Sequence, residues 1–289
     1  MKKLLVIIVA GVFAGCATDD PVGDAVEDFL ASNDGVRTNV VSCTNATALI
    51  CSLTKVDPKA YGGWDGDCPG TDVDSAVFAT MCDQFGVPYV KLENAQASAT
   101  NVIARAQAAA ESLGSSGGLL VLYFSGHGGQ VPSDSASEGD GQDETICLWD
   151  GQLRDKHVWQ LLLRVPRNVR VWMVTDCCNS GTNYRKPRDF AKAVRRLSGE
   201  RARMRMARGL VRRASDEEPN LLHWGGCGDG ESSFGSASGG VFTAALVDAF
   251  STRKTYREWF SDACRRMPES QRPTCGETGV SFQDTLIFK

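Results

Sequence analysis

Apolar and polar positions alternate along this chain in blocks whose lengths suit strands and helices in turn. Ala46–Leu53 (ATALICSL) is a short, mainly apolar run that fits a buried strand. Gly62–Gly70 is a loop rich in glycine and aspartate. Asp74–Phe85 has helical spacing and stops at Gly86, and Val87–Leu92 reads as a strand. Ser98–Leu113 predicts an alanine-rich helix, with Ser98 as N-cap and Gly114 beyond its end. Leu119–Phe124 (LLVLYF) and Val169–Thr175 (VRVWMVT) are strongly apolar strands, with a helical stretch at Arg154–Leu163 between them. A short strand at Leu221–Trp224 and helices at Val241–Phe250 and Tyr256–Met267 complete the pattern.

Strands alternating with helices predict an α/β fold, a mostly parallel central sheet with helices on both faces. Functional groups in such sheets gather past the C-terminal ends of the strands. Two segments qualify. Leu119–Phe124 runs into Ser125-Gly126-His127-Gly128-Gly129, and Val169–Thr175 runs into Asp176-Cys177-Cys178-Asn179-Ser180-Gly181. A histidine and a cysteine therefore share one rim.

That pair is suited to nucleophilic catalysis. A thiol needs a base or a lowered pKa to attack at neutral pH, and His127 is the natural base. Small neighbours let a substrate backbone approach, and the amides of Gly128 and Cys178 are candidates to hold an oxyanion. Cys177 competes with Cys178, since successive side chains of an extended segment point oppositely and position alone does not choose. His157, in a helical pattern, and His223, in a short strand, read as structural.

Composition narrows the setting. The 289 residues leave room for one large domain with appendages, and 42% hydrophobic content is enough for a full core. A net charge of −4 supplies no global field for nucleic acid, so no nucleic-acid partner is expected. Lys2 and Lys3, then the apolar stretch Leu4–Gly15, end at Phe13-Ala14-Gly15-Cys16. This looks like a bacterial lipoprotein signal with Cys16 as the lipidated residue, and it predicts export and anchoring at the outer membrane or cell surface. Residues 1–16 are then the signal, 17–43 a polar tether, and 44–289 the main domain. Of 11 cysteines, Cys264 and Cys275 are a candidate disulfide pair, while Cys51 and Cys147 sit in apolar runs and read as buried small hydrophobes.

Together the His127 and Cys178 motifs resemble those of metacaspases and bacterial caspase-like peptidases. The family pattern Asp, any residue, Cys, usually His, Ser, Gly aligns Cys178 with the nucleophile, with Asn179 in place of the usual His. The spacing of 51 residues between His127 and Cys178 matches the roughly 50 of the caspase order. Asp143-Glu144 before a short apolar strand and Gly239-Gly240-Val241-Phe242-Thr243 before a late helix also match. The resemblance implies a caspase-like sandwich and a cysteine endopeptidase acting on protein or peptide substrates. It implies that Asp176 and Asp74, or Asp72 if the register slips, line the pocket for the residue before the cut. Two carboxylates there favour Arg or Lys. The alternative is a catalytically silent caspase-like scaffold.

Many metacaspases hold activating calcium on four acidic side chains. Asp143 and Asp155 are the matching candidates here, but Lys156 and Arg185 stand at the other two positions, so no metal or other cofactor is expected. Residues 185–213 carry twelve Lys or Arg against Asp189 and Glu200, a net +10 that leaves −14 on the rest of the chain. This basic insert, about 184–219, lies where caspase relatives place the linker between subunits. An acidic pocket predicts self-processing there, with Arg205, Arg208 and Arg213 as candidate sites.

Overall fold

In the computed structural model, the residues described are 45–133, 141–184 and 218–288. Residues 1–44, which include Cys16, and the insert residues Arg205, Arg208 and Arg213 lie outside them.

The elements in chain order are β1 (Ala46–Ser52), α1 (Thr71–Gln84), β2 (Tyr89–Glu93), α2 (Ala99–Leu113), β3 (Gly118–Ser125), β4 (Gly128–Pro132), β5 (Gln142–Leu148), β6 (Gly151–Arg154), α3 (Asp155–Leu162), β7 (Val169–Asp176), β8 (Asn220–Gly225), β9 (Gly235–Ser236), β10 (Gly239–Gly240), α4 (Val241–Ala249), α5 (Tyr256–Cys264) and β11 (Thr274–Thr278). Six strands form the central sheet in the order β11-β8-β7-β3-β1-β2. All its pairings are parallel except β11 against β8.

Side-chain alternation builds one core on each face. Along β3, Leu119, Val121 and Tyr123 pack with Phe78 of α1, Phe242 of α4 and Trp259 of α5. Leu120 and Phe124 pack with Leu113 of α2 and Trp159 of α3. The predicted parallel sheet with helices on both faces is the observed architecture.

The differences are local and have physical causes. The short apolar strand read after Asp143-Glu144 is β5, but its partners β4 and β6 and the edge strand β11 carry no apolar period in the sequence. β4 (GGQVP) and β11 (TCGET) are glycine-containing, polar and largely exposed, so neither carries an apolar period. α1 begins at Thr71 rather than Asp74, because Gly70 at φ 91° turns the chain under Ser236 and Gly239, where a side chain does not fit. Cys264 and Cys275 are free thiols, which corrects their candidate pairing. Cys51 and Cys147 are buried in the core, as read.

Candidate active site

β3 and β7 leave the sheet side by side. Ser125 pairs with Asp176 at their ends, and two residues further come His127 and Cys178. The Gly126 amide donates to the Asp176 carbonyl at 3.3 Å, which keeps the exits together. Gly128 lies so close to the Cys178 carbonyl that a Cβ there would overlap it. A glycine is needed at this position for the two motifs to meet.

His127 is half-buried and held on several sides. Its carbonyl accepts from the Cys147 amide at 3.0 Å. Its Nε2 lies 3.3 Å from the Asp67 carbonyl, and its ring lies 4.8 Å from that of Trp64. A carbonyl only accepts, so in the neutral ring Nε2 carries the hydrogen and Nδ1 keeps the lone pair.

The neighbouring cysteines have opposite fates. Cys177 is 1% exposed and packs into the α2/α3-side core, with its sulfur 3.7 Å from Asn183 Nδ2. Burial pushes its thiol well above the ordinary value. Cys178 is half-buried, and its Sγ donates to the Ser233 carbonyl at 3.9 Å. Asn179 then turns the chain at φ 51°, a left-handed conformation that Asn tolerates, and its side chain accepts from the Gly230 amide at 2.9 Å. That turn gives a local reason for Asn at this position.

Two buried carboxylates stand beside the cysteine. Asp74 Oδ2 accepts from Ser125 Oγ at 2.7 Å, and its Oδ1 accepts from the Gly240 amide at 2.8 Å. Asp176 Oδ1 accepts from Ser233 Oγ at 2.7 Å. Its Oδ2 accepts from the Thr243 amide at 3.0 Å and the Thr243 hydroxyl at 2.8 Å. Both carboxylates converge on Gly240, where a Cβ would overlap Asp176 and lie 3.1 Å from Asp74 Oδ2. The N-terminus of α4 thus supplies amides to both.

Burial and the charge of Asp176 push Asp74 up to about 7. Burial also raises Asp176, against the opposing bonds from Ser233 and Thr243. Five bonds leave about three acceptor positions on the pair, a match for the donors of a guanidinium or ammonium. Asp72, the alternative by register, is exposed on α1, and its charge adds only the last of the causes that raise Asp74. The sequence reading missed Ser125, Ser233 and Thr243. The Gly239–Thr243 motif was the available signal, but its role as a backbone cradle needs the tertiary contact.

Asp143 is 1% exposed and ion-paired to Arg154 at 3.0 Å and Lys156 at 3.1 Å. Burial opposes its ionisation, but bonds from Ser133, Lys156 and Arg154 outweigh that and hold it below the usual carboxylate range. Asp155, also buried, caps its neighbour by accepting from the Lys156 amide at 2.6 Å. Protein cations therefore pair with the buried Asp143 carboxylate, and among the described residues no group of three or more His, Cys, Asp or Glu could hold a metal ion. His223 is fully buried, bonded to Thr175 at 2.8 Å, with its ring tilted at 41° against that of Tyr184, in a structural position as read. A cavity of about 300 Å³ lies between α2 and α3 on one face of the sheet. Its walls, such as Val102, Ala106, Leu120 and Leu162, are mostly apolar, so it is not the seat of this chemistry.

A family model described as the caspase domain matches residues 48–281. The chain belongs to the caspase family. The caspase domain shares 32% identity over 112 residues with metacaspase-1 of Mycosarcoma maydis, covering 33% of this chain and 27% of that protein. It shares 31% over 142 residues with metacaspase-2 of Arabidopsis thaliana, covering 46% and 33%. The matches thus span about a third or less of these relatives' length. A Geobacter sulfurreducens protein of known crystal structure superposes with a TM-score of 0.66 at 30% identity, over 84% of this chain and 98% of that one. Caspase-1 of Spodoptera frugiperda superposes at 0.57 and 13% identity, over 83% and 88%, a likeness of fold alone.

Proposed function

We propose that this protein is an active cysteine endopeptidase that cuts after Arg or Lys, with Cys178 as nucleophile and His127 as general base. The observation that carries this reading is the pair of motifs joined at one rim, the Cys178 thiol partly exposed and Nδ1 of His127 left to accept a proton. Transfer of the thiol proton to Nδ1 frees the thiolate. Its attack on the scissile carbonyl makes the S–C bond and an oxyanion that the Gly128 and Cys178 amides would hold. The imidazolium returns the proton to the departing amine, and water releases the acyl group.

The preference for Arg or Lys rests on the carboxylates of Asp74 and Asp176. The two buried acids converge on Gly240, and a substrate cation would relieve their mutual repulsion, whereas an acidic side chain would add to it. A purified protein assayed on peptides ending in Arg, Lys and Asp, beside Cys178→Ala, tests both parts. Cleavage after Asp in preference to Arg would overturn the specificity.

The same chemistry extends to the chain itself. A segment with net charge +10 between β7 and β8 is a fitting substrate for an acidic pocket, with cuts after residues such as Arg205, Arg208 or Arg213. Incubating wild type beside Cys178→Ala should give two fragments from the wild type only, the new N-termini following Arg or Lys. We further propose that Cys16 is acylated and tethers the enzyme to a bacterial outer membrane or surface. Metabolic labelling with a fatty acid should mark wild type and miss Cys16→Ser. Activity should need no cofactor, because Lys156 and Arg154 already neutralise Asp143.

A further inference from the structure

Trp64 is placed unlike most tryptophans of this protein. Trp159, Trp172, Trp224 and Trp259 are fully buried, while Trp64 is 45% exposed with its indole against the His127 ring. An indole left half in water forgoes much of the stabilisation that burial provides, so this placement needs another reason.

The loop that carries it is built to hold it still. Gly62 and Gly63 adopt φ of 64° and 99°, open to glycine at little cost. The Gly63 amide donates to the Pro58 carbonyl at 2.7 Å, Trp64 to Tyr61 at 3.3 Å, and Val56 to Asp65 at 2.8 Å. Tyr61 packs edge-on behind Trp64 at 5.7 Å and is itself tied to the end of β5, its hydroxyl donating to the Leu148 carbonyl at 2.6 Å. Three residues on, the same loop offers the Asp67 carbonyl to Nε2 of His127. One loop therefore holds the Nε2 edge of the imidazole and sets the indole against the ring at a tilt of 56°.

We propose that Trp64 is a positioning residue for His127 that also favours the imidazolium formed when the thiol proton moves to Nδ1. The inference rests on His127 acting as the base. A cation within about 6 Å of an indole centroid is attracted to the ring's electron-rich face. The ring separation of 4.8 Å satisfies that range. Neutral imidazole gains less, so the contact stabilises the charged intermediate state over the resting one. The titratable groups around the ring are Cys178 across the cleft, Cys147 on β5, and Cys68 and Asp67 on the loop. All are common to wild type and variants, so a difference on changing Trp64 reports the indole.

The test compares wild type, Trp64→Leu and Trp64→Phe on a small acyl-arginyl amide with a fluorescent leaving group, after thermal melts establish that each is folded. Leu keeps apolar bulk and loses the π face, whereas Phe keeps both. Trp64→Leu should lower kcat about fivefold to twentyfold with KM within about twofold, and draw the acid limb of the pH profile, where His127 must lose its proton to act as base, down by about half a unit. Trp64→Phe should recover most of the loss. Alkylation of Cys178 by iodoacetamide across the same pH range should show the same displacement without any substrate. An unchanged limb, equal behaviour of Leu and Phe, or a rise in KM alone would each overturn the proposal. If wild type shows neither cleavage nor Cys178 alkylation dependent on His127, the peptidase reading itself falls. If wild type behaves as an enzyme and Trp64→Leu matches it, only the role of Trp64 is lost.

Discussion

Ser125 and Asp176 are register partners at the C-terminal ends of β3 and β7. That pairing does two jobs. It aligns the exits so that His127 and Cys178, each two residues on, arrive at one place. It also turns Ser125 toward Asp74 and Asp176 toward Thr243, so both buried carboxylates are held from the same two strand ends that lead to His127 and Cys178.

Removing either member of that dyad should abolish cleavage. Cys178→Ala is expected to leave no measurable turnover, and His127→Ala to lose about a hundredfold to ten-thousandfold in kcat. Cys177→Ala should retain most activity, at a stability cost of about 1 kcal/mol for a small buried side chain. Steady-state kinetics with thermal melts checks all three. A dead Cys177→Ala beside an active Cys178→Ala would reverse the nucleophile assignment.

Asp176→Asn should lower kcat/KM for arginyl substrates by about tenfold to a thousandfold, the range for removing one partner of a buried charge pair. Asp72→Asn, on the exposed face of α1, should change it by less than twofold. Equal losses in the two variants would show that the pocket has been misassigned.

The pocket also predicts a pH dependence. Asp74 is pushed up to about 7, so it is mostly protonated below that pH and charged above it. Selectivity for arginine should therefore improve as pH rises through about 7, and Asp74→Asn should flatten this limb. The stability sign follows from linkage. A carboxyl raised from its ordinary 3.8 contributes stability that is full below 3.8 and lost as pH rises through about 7. Melts of Cys178→Ala between pH 4 and 7 should show that loss, and a basic peptide should reverse it.

His223 has the opposite behaviour. Burial holds it down to about 3 from the usual 6.5, so it stays neutral in the fold and takes a proton only on unfolding. Its contribution is present above pH 6.5 and lost as pH falls toward 3. His223→Gln should flatten the acid side of a stability-versus-pH curve. An unchanged acid transition would mean that other groups govern it.

Calcium should leave activity unchanged within about twofold whether added or chelated, because Asp143 already carries Arg154 and Lys156. Lys156→Asp removes one cation and restores an acid, and calcium should then raise the melting temperature of that variant. A strong calcium response in wild type would contradict the ion-paired site.

Much of this protein is legible in one dimension because the relevant physics is local. Apolar runs such as Leu119–Phe124 and Val169–Thr175 can only be buried strands, and their alternation with helices determines a parallel sheet covered on both faces. The two motifs at their ends name His127 and a cysteine. Tertiary structure decided what depends on contacts between distant segments. Cys177 and Cys178 are adjacent in sequence, but only packing against the α2/α3 side buries the first and leaves the second beside Ser233. Asp72 and Asp74 differ by two positions, and the start of α1 at Thr71 decides which one meets Ser125 and Gly240. The strands β4 and β11 escape the eye because their hydrogen bonds come from neighbours rather than from an apolar period. Trp64 lies 63 residues from His127, in a loop that pattern reads only as glycine-rich. Backbone conformations open to glycine and a carbonyl on β5 bring it there, and no local rule of sequence encodes that meeting.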